Sequence, residues 1–191
     1  MLSVPCLFKK DGNGVAYNEV VEGFEWALSG GVMTTRKFAG EICYIQNGKL
    51  FKNDDTPVLW NIPEDAHYAD AFAVLVKQSL RNLDRYYLLC GPAIAEGRSN
   101  LRVHTLIPYV GLPGRVPDLS VHANYTELSF LSQQPMLTFD LLRSVCGLPQ
   151  ISGVVFHHPD GRVAEITRED FGIPSTLPGE LSTPEQMTVV L

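Results

Sequence analysis

The chain has 191 residues, 45% of them hydrophobic and 19% charged, with a net charge of −6; that is enough for one well-cored globular domain and excludes a disordered chain. Its 15 basic residues are scattered rather than striped, which excludes an extended nucleic-acid footprint built on phosphate neutralisation but leaves room for a local pocket for one small phosphate ligand. No apolar run approaches the roughly 18 residues of a membrane span, and Met1 to Asp11 lacks the apolar core of a signal peptide, so a cytoplasmic protein without membrane contact is expected.

In chain order, Val32 to Lys52 reads as two strands. Gly40 to Ile45 alternates partly, and the Asn47-Gly48 dipeptide, a strong hairpin signal, turns the chain into Leu50-Phe51. Asn53 to Glu64 is polar with two prolines and reads as a loop. From Asp65 to Asp84 the apolar residues Ala71, Phe72, Leu75, Val76, Leu80 and Leu83 recur near a helical period, the strongest helix signal in the chain.

Arg85 to Pro92 reads as a buried strand ended by Gly91-Pro92, and Leu101 to Val110 as another strand. Gly111 to Leu119 is a Pro/Gly-rich loop. Thr138 to Cys146 is a short amphipathic helix. Ile151 to Phe156 and Arg162 to Thr167 form a second hairpin, with Asp160-Gly161 at its tip. Residues 174–191 read as a loosely packed extension rich in Pro, Ser and Thr, after a domain covering residues 1–173. Mixed strands and helices joined by hairpins place the fold in the α+β class.

Four cysteines, Cys6, Cys43, Cys90 and Cys146, are far apart and form no CxxC pair; they read as small buried hydrophobes in a reducing compartment. Lys9-Lys10-Asp11-Gly12 spells K-x-D-G, yet no apolar strand follows it, and it reads as a surface turn. His157-His158 sits at the hairpin entry. Adjacent strand residues face opposite sides, so the pair is not expected to hold one metal ion, and one ring is expected to be buried. No Gly-rich phosphate loop of the usual spacings occurs.

Lys37 follows Arg36 at the entrance to an apolar strand. A nucleophilic lysine needs desolvation or a neighbouring positive charge; Arg36 supplies the second, while Ala39 leaves no carboxylate to orient a ribose or a metal.

From about Val4 to Gly172 the chain resembles the small bacteriophage-type RNA ligases of the covalent nucleotidyltransferase superfamily. Gly23 to Val32 resembles the family's N-terminal segment. Thr35-Arg36-Lys37-Phe38-Ala39-Gly40 aligns with the K-x-D-G motif, followed by Asn47 to Lys52. Tyr87 to Pro92 aligns with Y-E-L-C-G-P-K, Ile151 to Arg162 with E-G-[IV]-V-[FW]-H-H-x-D-G-R, and Ala164 to Phe171 with A-K-I-K-R-R-D-F. The departures fall on charged positions. Ala39 replaces the motif acid, and Glu41 a threonine. Asn53 stands for an arginine, Leu88 for a glutamate, Ala93 for a lysine and Ser152 for a glutamate. Glu165 and Thr167 replace the two lysines of the last segment.

The resemblance implies a single nucleotidyltransferase domain, ATP-grasp-like in its ligase adenylation architecture, with antiparallel sheets and a few flanking helices. In the family, lysine attacks the ATP α-phosphate with Mg²⁺ assistance, and AMP passes to an RNA 5′-phosphate. That chemistry needs carboxylates for the metal and cations for the developing phosphate charge. Losing one such group costs around 10²–10³ in rate, so losing several argues against catalysis. The implied nucleotide cleft comprises Met33, Thr35, Arg36, Lys37, Phe38, Val155, Phe156 and Arg162, with Lys52 at its mouth.

The expectation is therefore a catalytically degenerate, non-enzymatic protein with no cofactor or bound metal. It would bind an adenine-containing nucleotide, such as an immune signal sequestered by a phage counter-defence protein in the host cytoplasm. One alternative is an active RNA ligase or adenylyltransferase using ATP, Mg²⁺ and Lys37. The other is an inhibitor acting by protein–protein contact. A homo-oligomer stays open.

Overall fold

Two antiparallel sheets and one short hairpin carry the architecture of the described residues, which are 4–78, 83–95, 101–109 and 128–174 of the computed structural model. The hairpin is β1 (Phe8–Lys10) with β2 (Ala16–Val20). A three-stranded sheet runs β3 (Met33–Arg36), β8 (Gly153–His157), β9 (Val163–Thr167). A four-stranded sheet runs β5 (Lys49–Lys52), β4 (Glu41–Gln46), β6 (Tyr86–Cys90), β7 (Thr105–Pro108). With helices α1 (Ala66–Gln78) and α2 (Phe139–Cys146), this is a mixed α+β fold.

Each sheet has its own helix. Tyr68 and Ala71 of α1 join Cys43, Ile45, Leu50, Tyr87, Leu89 and Leu106 of the four-stranded sheet in one core. Leu142, Val145 and Cys146 of α2 join Val154, Phe156, Ala164 and Ile166 of the three-stranded sheet in another, with Leu7 and Phe8 from the first hairpin. Burying an aromatic or aliphatic side chain of this kind contributes about 1.5–3 kcal/mol, so each helix is fixed by its apolar stripe rather than by propensity. The Thr138 hydroxyl caps α2 by accepting the Leu141 N–H at 3.2 Å. Phe38, Cys90 and Ile107 form a smaller core.

The segment Val32 to Lys52 departs from the two-strand reading. It holds three strands, and β3 belongs to a different sheet from β4 and β5. The chain crosses between sheets at residues 37–40, within the lysine motif. Hydrophobic alternation marks strands but carries no information about which sheet a strand joins. The Asn47-Gly48 turn does connect β4 to β5, and its N–H groups donate to the Asp84 carboxylate at 2.9 and 3.4 Å.

The first K-x-D-G spelling is only half turn: Lys9 and Lys10 end β1, and Asp11-Gly12 opens the β1–β2 turn. Asp11 Oδ1 accepts the Asn13 and Val15 N–H groups, each at 2.9 Å, Lys9 pairs with Glu19 and Lys10 with Asp170. Asp65 belongs to a 3-10 turn, Pro63–Asp65, and the expected helix begins at Ala66. Residues 79–82 of that helix reading, the 111–119 loop and the 175–191 extension lie outside the described residues. Cys43, Cys90 and Cys146 are buried and unoxidised, and burial pushes their thiols up to about 12. Among the described residues no helix is long and apolar enough to cross a membrane.

Candidate functional site

The register of the three-stranded sheet decides which candidate residues can meet. Thr35 pairs with Val155, which pairs with Glu165, and Met33 pairs with His157. Paired residues of antiparallel strands share a face, so Met33, Thr35, Val155, His157 and Glu165 line one side of the sheet. Lys37 extends this row past the end of β3, and its N–H donates to the Gly153 carbonyl at 2.8 Å. Arg36 pairs with Val154, and Thr34 with Phe156; these point to the opposite face, where Val154 and Phe156 are part of the α2 core.

The expected cleft set is thus divided. Met33, Thr35, Lys37 and Val155 are together. Phe156 is fully buried in the core. Arg36 is buried with its guanidinium 4.9 Å from the Phe38 ring centroid, and Phe38 packs with Cys90 and Ile107. Arg162 is at the other end of the β8–β9 hairpin, opposite His158 where Lys37 is opposite Gly153, about 17 Å along the strand from Lys37 at the usual strand rise. Its guanidinium lies 5.6 Å from the Trp26 ring and donates to Asp160 at 2.9 Å. Lys52 is on the four-stranded sheet.

On the shared face, the Lys37 ammonium is ion-paired with the Glu165 carboxylate. The pair reaches from β3 to β9 across the middle strand. Gly153 makes that crossing open: a Cβ there would stand 3.4 Å from Lys37 Cβ and 2.6 Å from the Ile166 carbonyl oxygen. Lys37 is 31% and Glu165 16% exposed in their side chains, so solvent reaches the pair. Behind it, Thr35 and His157 share a buried hydrogen bond of 2.8 Å. Tyr109, just past β7, borders Glu165; burial first, and then the Glu165 charge, push its phenol above the ordinary value. His158 turns the other way, its ring 5.0 Å from Trp26, so the two imidazoles do part as adjacent strand residues should.

Past the crossing, Gly40 passes so close to β6 that a Cβ would meet the Leu89 carbonyl oxygen at 2.6 Å. The following residues wall a recess of about 340 Å³ lined by Glu41, Ile42, Lys52, Asn53, Asp54 and Tyr68. The Tyr68 hydroxyl donates to Glu41 at 2.7 Å. Lys52 is committed to Asp65 at 2.5 Å, and Asp65, 1% exposed, also accepts the Leu59 N–H at 2.7 Å. Burial pushes the Asp65 carboxyl up, but the Leu59 N–H and the Lys52 ammonium outweigh it and hold the group below its ordinary value. The hydrogen bond to Asp65 raises Lys52.

Glu165, Tyr109, His157 and Asp65 were not among the residues expected to line the site. Glu165 carried a signal: its charge is opposite to Lys37, at a position where the resemblance calls for a lysine. His157 was singled out as one of a histidine pair with one ring buried, as it is, but not as a partner of Thr35; Tyr109 and Asp65 carried no signal, because their role depends on residues distant in sequence.

Compared with known proteins, the chain matches no protein-family model and no curated protein.

Proposed function

We propose that the chain is a catalytically degenerate, RNA-ligase-like protein with a nucleotidyltransferase-type domain. It binds an adenine-containing nucleotide without covalent chemistry. We further propose that this binding sequesters a nucleotide immune signal, as a phage counter-defence protein would do in the host cytoplasm.

One observation carries this reading: the lysine at the K-x-D-G position is neutralised by Glu165, which stands where the resemblance calls for a lysine. A carboxylate there opposes the approach of a triphosphate and supplies nothing to stabilise charge on the transferring phosphate. The pair is at a solvent-reached rim, so Lys37 can exchange a carboxylate for a ligand phosphate without refolding. Thr35, His157 and Val155 supply the hydroxyl, imidazole and apolar contacts that small-molecule sites combine.

Titration calorimetry with ATP, cyclic oligoadenylates and ADP-ribose tests the reading. Saturable binding of at least one is expected; no heat from any of them at roughly tens of micromolar removes it. Mass spectrometry after incubation with ATP and Mg²⁺ tests the enzymatic alternative, because an AMP adduct on Lys37 would replace capture with adenylyl transfer.

A second reading draws on a different surface. Leu59, Trp60 and Val76 are exposed beside and along α1, with Trp60 53% exposed and its ring 5.1 Å from Phe72. Clustered apolar residues of this kind suit a protein contact. A stoichiometric partner retained in a pull-down, together with silent calorimetry, would favour an inhibitor acting through protein–protein contact.

A further inference from the structure

The contact between α1 and the four-stranded sheet contains a polar pair that the nucleotide reading does not use. His67, in the first turn of α1, stacks on His104, the residue before β7, with ring centroids 4.2 Å apart. His104 packs against the Gly91 backbone, where a Cβ would meet its ring at 2.3 Å. Its Nε2 is buried with no hydrogen-bond partner among the described residues. The site therefore favours a neutral ring: the imidazolium must carry protons on both nitrogens, one of them on this Nε2, one ring away from a second imidazole.

Among the described residues the charged and titratable surroundings are few. On α1, His67 opposes protonation of His104, and Asp70, one turn on, favours it. The Gly91 turn brings no charge, and Arg102, two residues back on the segment leading into β7, is exposed. Burial first, and then His67, hold His104 below the ordinary histidine value against the weaker pull of Asp70.

We propose that His67 and His104 form a proton-operated latch: with the His104 ring neutral α1 is seated on β7, and protonation of His104 unseats it and opens the recess beside Glu41. The connection to the recess is direct. Tyr68, next to His67 in sequence, forms its wall and holds Glu41 by a hydrogen bond of 2.7 Å. Lifting the first turn of α1 withdraws that hydroxyl.

The sign follows from linkage. A histidine lowered in the fold binds its proton more readily in the open state, so closure is favoured at neutral pH. It weakens as pH falls through the ordinary value of about 6.5 towards the lower folded one. Amide hydrogen exchange on the full chain, at about pH 7.5 and about pH 5.5 with intrinsic rates corrected, reads this out. Protection across residues 66–78 and 105–108 is expected to fall roughly tenfold on acidification, while that of the β8–β9 hairpin holds. His67→Gln, lacking the second imidazole, should show a smaller fall. If that variant does not fold, an NMR titration of the His104 ring in the unaltered chain decides. A midpoint at or above the ordinary value overturns the proposal. So does an α1 whose protection ignores pH, a fall shared equally by the β8–β9 hairpin, or an undiminished fall in His67→Gln. None of these outcomes bears on nucleotide binding, which calorimetry tests separately.

Discussion

Both sheets hold a lysine paired with a carboxylate, and the two pairs are built for different ends. Lys52–Asp65 is anchored from below: its carboxylate is 1% exposed and also ties down the Leu59 N–H. Neither partner can leave without stranding the other or the loop. Lys37–Glu165 spans a strand over a glycine, with both partners reached by water. Among the described residues its carboxylate accepts no backbone N–H, so the lysine can change partner at small cost. The same two charged groups, an ammonium and a carboxylate, thus make a structural clasp in one sheet and an exchangeable contact in the other. Burial and the number of additional hydrogen bonds separate them.

The largest expected effect tests what lies beneath the exchangeable pair. Gly153→Ala places a Cβ 2.6 Å from the Ile166 carbonyl oxygen and 3.1 Å from Thr167 Cα. Both are backbone atoms, so β8 and β9 must separate rather than a side chain rotate. The cost is about 3 kcal/mol, at the upper end for overpacking, read as a lower urea midpoint. A neutral result would mean that the strands are not held at that spacing.

Next in size is Lys52→Met, which leaves Asp65 buried with the Leu59 N–H alone. A loss of about 2 kcal/mol is expected, less than for a fully enclosed pair because water reaches the lysine end. Its pH dependence is specific. Asp65 is held below its ordinary value, so the stability it contributes is complete above the unfolded carboxylate range near pH 4 and disappears as pH falls through the folded value. The unaltered chain should lose this increment in acid, and Lys52→Met should have little of it left to lose. Parallel acid limbs in urea titrations would place the clasp elsewhere.

The elements were largely legible from local pattern, and the site only in part. Both hairpins around Asn47-Gly48 and Asp160-Gly161, the α1 and α2 helices and the strand at Tyr86–Cys90 follow from periodicity and turn residues, which act over a few positions. The division of Val32 to Lys52 between two sheets did not, because a strand's partners are chosen by distant residues. That division is what turned Arg36 and Phe156 away from Lys37: neighbours in sequence on a strand are opposite in space. Lys37, Thr35 and Val155 were expected together and do share a face, because residues two apart on a strand point the same way and Thr35 pairs with Val155. Glu165 was visible as a charge opposite to that of Lys37, but its pairing with Lys37 needed β9 to lie one strand beyond β8. Lys52 was legible as a cation and not as a committed one, since Asp65 is thirteen residues further on, across a loop.

The smallest effect bears most directly on function. Glu165→Gln removes the carboxylate that holds Lys37 while keeping its shape. Because the pair is solvent-reached, folding stability should change by no more than about 1 kcal/mol. If Lys37 meets a ligand phosphate, the competing partner is now gone, and nucleotide affinity should rise roughly tenfold, about 1.4 kcal/mol. Lys37→Gln should move affinity the other way, and the double variant should resemble Lys37→Gln, since without the ammonium the carboxylate has nothing to withhold. A Glu165→Gln protein that binds nucleotide no better than the unaltered chain would mean that the phosphate end of the ligand does not come to Lys37. The exchangeable pair would then be only a weaker clasp, of the same kind as the one at Lys52.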